Sequence, residues 1–399
     1  MAQAEFAFTP VPARGAASSS ARADLNACAV SPGSGDADGQ VGFDIGWEHA
    51  RHALVPPAEH LLPGHPVREG WEAGKACFGV RTRQASRSVR LCLGLRLQAW
   101  LRGHSFETVQ VTPHYLAQIE GPRCPVTREP FSQESGADLA AQISRLFEGA
   151  GFAAGNLVAL APRAARAKAA LTWPEALTRA VQARSAADGL HEGLSEGEWA
   201  RLGSLISMAT PLPHAVAATL PLRAMPPNRV RLINPIQGLQ VLITLQIAHA
   251  DWSARINRLA ALMPRVEMQR AFHLFFHSLL PRAWCDGLPS QAEALRWRLE
   301  DAWQDLRVQR RWERFALLLD ADLAEQLQQR ALQLGLGGKQ VQWQPTERAT
   351  EGWALEHGGY AHAEVPVPGP QVSRNTPLEA RVPPIDRSQF SVLAGRLHS

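Results

Sequence analysis

Hydrophobic positions along this chain recur mostly at helical spacing. Val89, Leu93, Leu97 and Leu101 come every four residues, with Ser86 or Ser88 as a cap and Gly103 as a stop, which predicts a helix over 88–102. The alternation of Val89, Leu91, Leu93, Leu95 and Leu97 also permits a strand, but Leu and Arg favour the helix. Thr112-Pro113 opens a short helix ending at Gly121, with Thr as cap and Pro in the first turn. Residues 123–131 read as a turn or hairpin. Leu139, Ile143, Leu146 and Phe147 share one face of a predicted helix over 137–148, Leu157–Leu160 is a short apolar run, and 163–171 is an Ala-rich basic helix. Beyond Leu171 the pattern is helical almost throughout. Capping boxes stand at Ser195/Glu198 and Ser290/Glu293, and Asn234-Pro235 starts an apolar helix reaching Leu262. A further helix over 265–280 stops at Pro281, and another continues to about Leu334 with a break near Asp320 and a stop at Gly335.

Between these runs the pattern fades. Residues 1–40 hold few large apolar groups and are expected to be a disordered leader. Residues 41–75 read as turn-rich, with two short echoes, Gly46-Trp47-Glu48 and Gly70-Trp71-Glu72, too brief to define a repeat. The expected organisation is a turn-rich and basic helical region at 41–104, a small α+β module at 105–171, a helical domain at 172–336, and an extended or disordered tail at 337–399. The fold class is mostly α: a bundle-like helical domain, a small α+β module and disordered termini.

Composition narrows this little. The 399 residues carry 41 basic against 37 acidic side chains, a net charge of +4, so the total demands no polyanionic partner. Only three of the basic residues are Lys, a bias that fits base composition better than selection for bidentate anion recognition. The cysteines at 28, 77, 92, 124 and 285 are odd in number and never spaced C-x-x-C, which excludes a disulfide framework and a four-thiolate zinc site. No signal peptide is recognised. The most apolar window, 232–250, contains Asn234, Pro235 and three Gln, so a cytoplasmic protein without membrane contact is expected.

Local charge says more. Seven basic residues and no acid lie between Glu72 and Glu107, and none but basic charges lie between Glu148 and Glu175. The second stretch overlaps an ordered set of short motifs: Thr112-Pro113-His114-Tyr115-Leu116, Arg123-Cys124-Pro125-Val126-Thr127, Ile143-Ser144-Arg145-Leu146, Gly151-Phe152-Ala153-Ala154-Gly155-Asn156-Leu157-Val158, and Arg163-Ala164-Ala165-Arg166-Ala167-Lys168. Over about 60 residues this order resembles HNH-type, ββα-metal nucleases, and the resemblance implies a strand near Ser144 where periodicity predicts a helix.

In that family an Asp and a helix Asn or His hold a divalent metal while a His activates water. Carried over position by position, the Asp falls on Ser144, the His on Arg145, the loop Asn on Asn156 and the helix ligand on Ala165. Only Asn156 survives, because Ser and Ala do not replace a carboxylate and a second ligand, and Arg is no base. The resemblance therefore implies a degenerate, catalytically inactive module with no metal or cofactor. Arg145, Arg163, Arg166 and Lys168 remain as candidate contacts to a DNA or RNA backbone. Two alternatives stand beside this nucleic-acid-associated accessory protein: a helical interaction or scaffold protein binding a protein partner through 172–336, and an active metal-dependent endonuclease.

Other candidate chemistry is thinner. His49, His52, His60 and His65 cluster among prolines and are read as surface histidines in preference to a metal site. His273 and His277 are expected to be a buried pair, and Trp284, Trp297, Trp303 and Trp312 core or interface anchors. The P-loop, zinc-deaminase and G-x-S-x-G signatures are not met; His362 and Glu364 lack a following C-x-x-C.

Overall fold

The computed structural model describes residues 37–131, 140–284, 287, 289, 291–337 and 344–355. The chain divides after Ala85 into two compact units, so the boundary falls inside the region 41–104.

The first unit is a pair of helices, α1 (Ala37–Arg51) and α2 (Pro66–Phe78), joined through a 3-10 turn at Ala58–His60. Residues 41–51 and 66–75 are thus helical where turns were expected, while 52–65 form turns. The glycines that weakened the pattern are there for the crossing. A Cβ on Gly46 would lie 1.9 Å from the Val67 carbonyl oxygen, and one on Gly70 would lie 1.9 Å from that of Phe43. The two Gly-Trp-Glu echoes therefore occupy equivalent places, one on each helix, and let the backbones touch. Val41, Ile45, Ala50 and Val67 are buried between them, and Trp71 Nε1 donates to the Leu54 carbonyl at 2.9 Å.

The second unit begins with α3 (Arg87–Leu101) and α4 (Pro113–Ile119). Ser86 Oγ accepts from the Val89 amide and Thr112 Oγ1 from the Tyr115 amide, the caps that the sequence offers. Next come β1 (Gln142–Arg145), β2 (Leu157–Leu160) and α5 (Pro162–Lys168). The strands pair antiparallel, with Ser144 opposite Val158 and Arg145 opposite Leu157. This replaces the predicted helix over 137–148, of which 137–139 lie outside the described residues. The apolar spacing of Ile143, Leu146 and Phe147 fits a helical face, but the chain's pairing partner, Leu157–Leu160, is fully buried and takes the segment as a strand.

The helical part follows: α6 (Trp173–Ser185), a two-residue ribbon of β3 (Leu190–His191) and β4 (Leu194–Ser195), α7 (Glu196–Ala209), α8 (His214–Thr219), α9 (Pro235–Gln246), α10 (Trp252–Ala261), α11 (Val266–Ala283), α12 (Ala292–Ala302), α13 (Leu306–Ala316) and α14 (Ala321–Gln333). The fold is mostly α, as the hydrophobic pattern indicates. Ser195 and Glu198 make the reciprocal capping box. The single helix expected from Asn234 to Leu262 is two, α9 and α10, with a turn between Gln246 and Trp252. Pro281 does not end its helix but lies in the last turn of α11, on the exposed side. Ser290 of the second capping box lies outside the described residues, and α12 starts after Gln291. Asp320 caps α14, and Gly335 follows it with φ of 70°.

One continuous apolar core runs from Cys124, Leu146 and Val158 through Trp199, Phe272 and Trp303 to Trp353, and a smaller one under α3 and α4 joins Phe106, Leu116 and Leu157. The tail expected at 337–399 is ordered in part: a 3-10 turn at Thr346–Arg348 leads to the fully buried Trp353, whose Nε1 donates to the Ala154 carbonyl at 3.0 Å. Among the described residues no helix is long and apolar enough to cross a membrane.

Candidate functional site

The motif-bearing segment forms a hairpin of β1 and β2 followed directly by α5, a ββα unit, and its motif residues are the joints of that unit. In Cys124-Pro125-Val126-Thr127, the Cys124 thiol is buried and accepts from the Thr127 and Ala161 amides at 3.5 and 3.3 Å, tying the turn to the start of α5. In the β1–β2 connection, Asn156 is fully buried. Its Oδ1 accepts from the Phe147 amide at 2.8 Å, and its Nδ2 donates to the Phe147 and Gly151 carbonyls at 3.0 and 3.1 Å. Gly155 beside it has φ of 90°, and a Cβ there would lie 2.3 Å from Arg231 Cγ. Glu107 Oε2 accepts from the Ala154 amide and Tyr115 Oη from the Gly155 amide, both at 2.8 Å. Burial pushes the Glu107 carboxyl and the Tyr115 phenol above their ordinary ranges.

At the positions to which the resemblance carries metal ligands stand a half-buried Ser144 on β1 and a half-buried Ala165 on α5. Where it carries the base stands Arg145, whose guanidinium donates to Glu148 Oε2 at 2.5 Å, to the Ala150 carbonyl at 2.9 Å and to His104 Nε2 at 3.2 Å. Lys168, at the end of α5, is 1% exposed, and its Nζ donates to Glu148 Oε1 at 2.5 Å. Burial holds the Lys168 ammonium below the usual lysine range against the pull of Glu148. His104 is also held below its usual range by burial and by Arg145, which matches its role as the neutral acceptor of that arginine's hydrogen bond.

The four basic candidates therefore point to three places. Arg145 and Lys168 converge on Glu148 inside the unit. Arg163 turns the other way, reaching Glu129 at 2.9 Å and Glu198 at 2.5 Å. Burial opposes its charge, but the two carboxylates outweigh this and raise its pKa. Only Arg166 is exposed and without an ion-pair partner among the described residues. Arg128 adds a clamp to the helical part: it donates to Glu300 at 2.9 Å and to Asp301 at 2.8 Å, and Glu300 is 2% exposed. The Arg123 and Arg128 guanidinium groups also lie over the Trp297 ring.

Sequence reasoning passed over Glu148 and His104, which complete this network; the i, i+3 spacing of Arg145 and Glu148 was the available signal. It also passed over Arg307, Arg310, Arg311 and Arg314, whose i, i+3, i+4, i+7 spacing places them on one side of α13.

The other candidates resolve differently. His49 Nδ1 is buried against the Ile45 carbonyl at 2.7 Å, and the His60 and His65 rings lie 5.3 Å apart. Among the described residues no three His, Cys, Asp or Glu side chains gather as a metal site. His273 and His277 are stacked on the outer side of α11, half-buried and exposed, and are not the buried pair expected. Trp303 and Trp312 are core residues, as expected, whereas Trp284 is exposed.

No known family model matches this chain, and no curated protein and no solved structure is similar to it.

Proposed function

We propose that this chain is a nucleic-acid-associated accessory protein whose ββα unit is a degenerate HNH-like module that does not cut. The observation carrying this reading is the Arg145–Glu148–Lys168 network. Hydrolysis of a phosphodiester by such a unit needs a carboxylate free to hold a hard cation and a base able to take a proton from water. Here the carboxylate between strand and helix is saturated by two protein cations, Ser144 and Ala165 offer no charge to a metal, and Arg145 stays protonated. Asn156 supports the same reading from the other side: it is fully buried, and its three hydrogen bonds, which use both N–H groups, hold the hairpin connection.

Purified full-length protein incubated with supercoiled plasmid and magnesium or manganese is expected to retard the plasmid at low salt without nicking it. Metal-dependent nicking abolished by Asn156→Ala would replace this reading with the active endonuclease.

One observation favours the scaffold alternative. Arg145, Arg163 and Lys168 are neutralised by carboxylates of the same chain, so the module offers a polyanion only Arg166 from the set the motifs single out. A nucleic-acid role then requires basic surface elsewhere, and absence of any retardation at low salt, together with a pull-down partner mapped to 172–336, would favour the scaffold.

A further inference from the structure

A basic surface of the second unit lies outside the module, on α11 and α13. The two helices run antiparallel. Arg265 Nη2 reaches the Leu318 carbonyl at 2.7 Å, Arg311 Nη1 the Leu274 carbonyl at 3.0 Å, and Arg282 the Asp305 carboxylate at 2.7 Å, three ties spaced along the pair. The inner faces are aromatic: Phe272, Phe275, Trp312 and Phe315 are buried against one another. The outer face is cationic. Val308, Trp312 and Phe315 fix which side of α13 is inward, and the helical repeat then sets Arg307, Arg310, Arg311 and Arg314 along the flank that touches α11. On α11 the exposed Arg270, Leu274 and His277 continue that flank.

Acidic charge does not cancel this surface. From 265 to 284 and from 305 to 317 there are seven arginines against Glu267, Asp305 and Glu313. Asp305 is engaged by Arg282 and by the first amides of α13; Glu313 lies one turn from Arg310 and Glu267 one turn from Arg270, and none of the three carboxylates forms an ion pair with Arg270, Arg307 or Arg314 among the described residues. Arg270, Arg307 and Arg314 are exposed and have no ion-pair partner among the described residues.

We infer that this α11–α13 face docks the phosphate backbone of duplex DNA without reading sequence, an inference that rests on the nucleic-acid reading above and gives it a location. Charge complementarity selects a polyanion. Arg307 and Arg314 are separated by two helical turns, roughly 10 Å along the axis, a reach over two successive phosphates of one strand. The aromatic rings of α13 point inward, so the face lacks the stacking platforms that capture single strands.

The test uses the full chain and a fluorescein-labelled 30-bp DNA duplex, with binding read by anisotropy from 50 to 300 mM salt. R270A/R307A/R314A is compared with R90A/R330A, which removes exposed charge from α3 and α14. Circular dichroism and the urea midpoint verify that both variants fold. The triple variant is expected to weaken binding at least about tenfold at 100 mM salt and to flatten the log–log salt slope by about 2.7, three contacts at about 0.9 each. The R90A/R330A variant should bind within about twofold of the parent.

If the parent binds and the triple variant binds equally well, this inference is overturned while the nucleic-acid reading stands. Loss of binding in R90A/R330A alone would move the contact to α3 or α14 and overturn it too. Tighter binding of a labelled single strand or RNA duplex of the same length would overturn the choice of duplex DNA. No binding by the parent at 50 mM salt would overturn both readings.

Discussion

The network at the heart of the ββα unit makes an asymmetric prediction. Glu148→Gln keeps the shape of the side chain and removes its charge, leaving Lys168, 1% exposed, and Arg145 without a counter-ion. Breaking a buried ion pair from one side costs about 3–5 kcal/mol, because the remaining charge stays desolvated. Glu148 itself is 28% exposed at the side chain, so water offsets part of the loss and the expected cost is at the low end, about 3 kcal/mol, or roughly a hundredfold in the folding equilibrium. Lys168→Met leaves the Arg145–Glu148 pair intact and adds apolar volume where a buried ammonium stood, so it should cost about 1 kcal/mol or less. The double variant removes the acid and the more deeply buried of its two cations together, and should be more stable than Glu148→Gln alone by about 1–2 kcal/mol. Urea unfolding of the full chain, followed by the fluorescence of the buried Trp199, Trp303, Trp312 and Trp353, reads these differences in the second unit. A Glu148→Gln variant within about 0.5 kcal/mol of the parent, or a double variant no more stable than Glu148→Gln, would refute the account of Glu148 as the shared counter-ion.

Three further outcomes follow from the same structure. Asn156→Ala orphans the Phe147 amide and two carbonyls, and should cost about 3 kcal/mol in the same urea measurement; a change under about 1 kcal/mol would contradict the role of this side chain as the lock of the hairpin. Gly70→Ala drives a Cβ into the Phe43 carbonyl, so amide exchange in α1 and α2 should accelerate while exchange in the second unit stays unchanged, and protected α1 and α2 amides would show that the crossing tolerates a methyl group. Burial holds His49, His52 and His65 below the usual histidine pKa of about 6.5, so between their folded values and about 6.5 the unfolded state binds more protons. Stability of the first unit is therefore complete above that window and lost as pH falls through it. Exchange in α1 and α2, corrected for intrinsic rates, should rise from pH 7.5 to pH 5 by more than that of the second unit, and an equal or opposite change would exclude the histidines as the cause.

What the sequence discloses of this molecule follows the range of the interactions involved. Thr112-Pro113, Ser195 with Glu198, Asp320 and Gly335 act on residues three or four positions away, and each marks its helix end where expected. β1 was misread because its pairing partner lies 12 to 18 residues on, and a four-residue strand carries too little alternation to outweigh apolar residues at helical spacing. α1 and α2 were misread because glycine lowers helix propensity, whereas Gly46 and Gly70 are retained for a contact between helices. The motif positions were legible as positions; the fate of their charges was not. Arg163 finds Glu129 and Glu198 at separations of 34 and 35 residues, and Lys168 finds Glu148 at 20, so a run that reads as a basic face along the chain is largely neutral in the fold. Arg307 and Arg314 of α13 form no ion pair among the described residues; their flank is set by the buried Trp312 and Phe315, a pattern present in the sequence as spacing.

The central claim joins a ββα unit that does not cut to a chain that binds DNA, and one gel tests both halves. Supercoiled plasmid is titrated with full-length protein at 50 mM salt in magnesium or manganese, and each sample is run with and without removal of the protein. The account predicts a retarded plasmid that returns to the supercoiled position when the protein is removed. Nicked or linear plasmid after removal, or a plasmid that is never retarded, would contradict it.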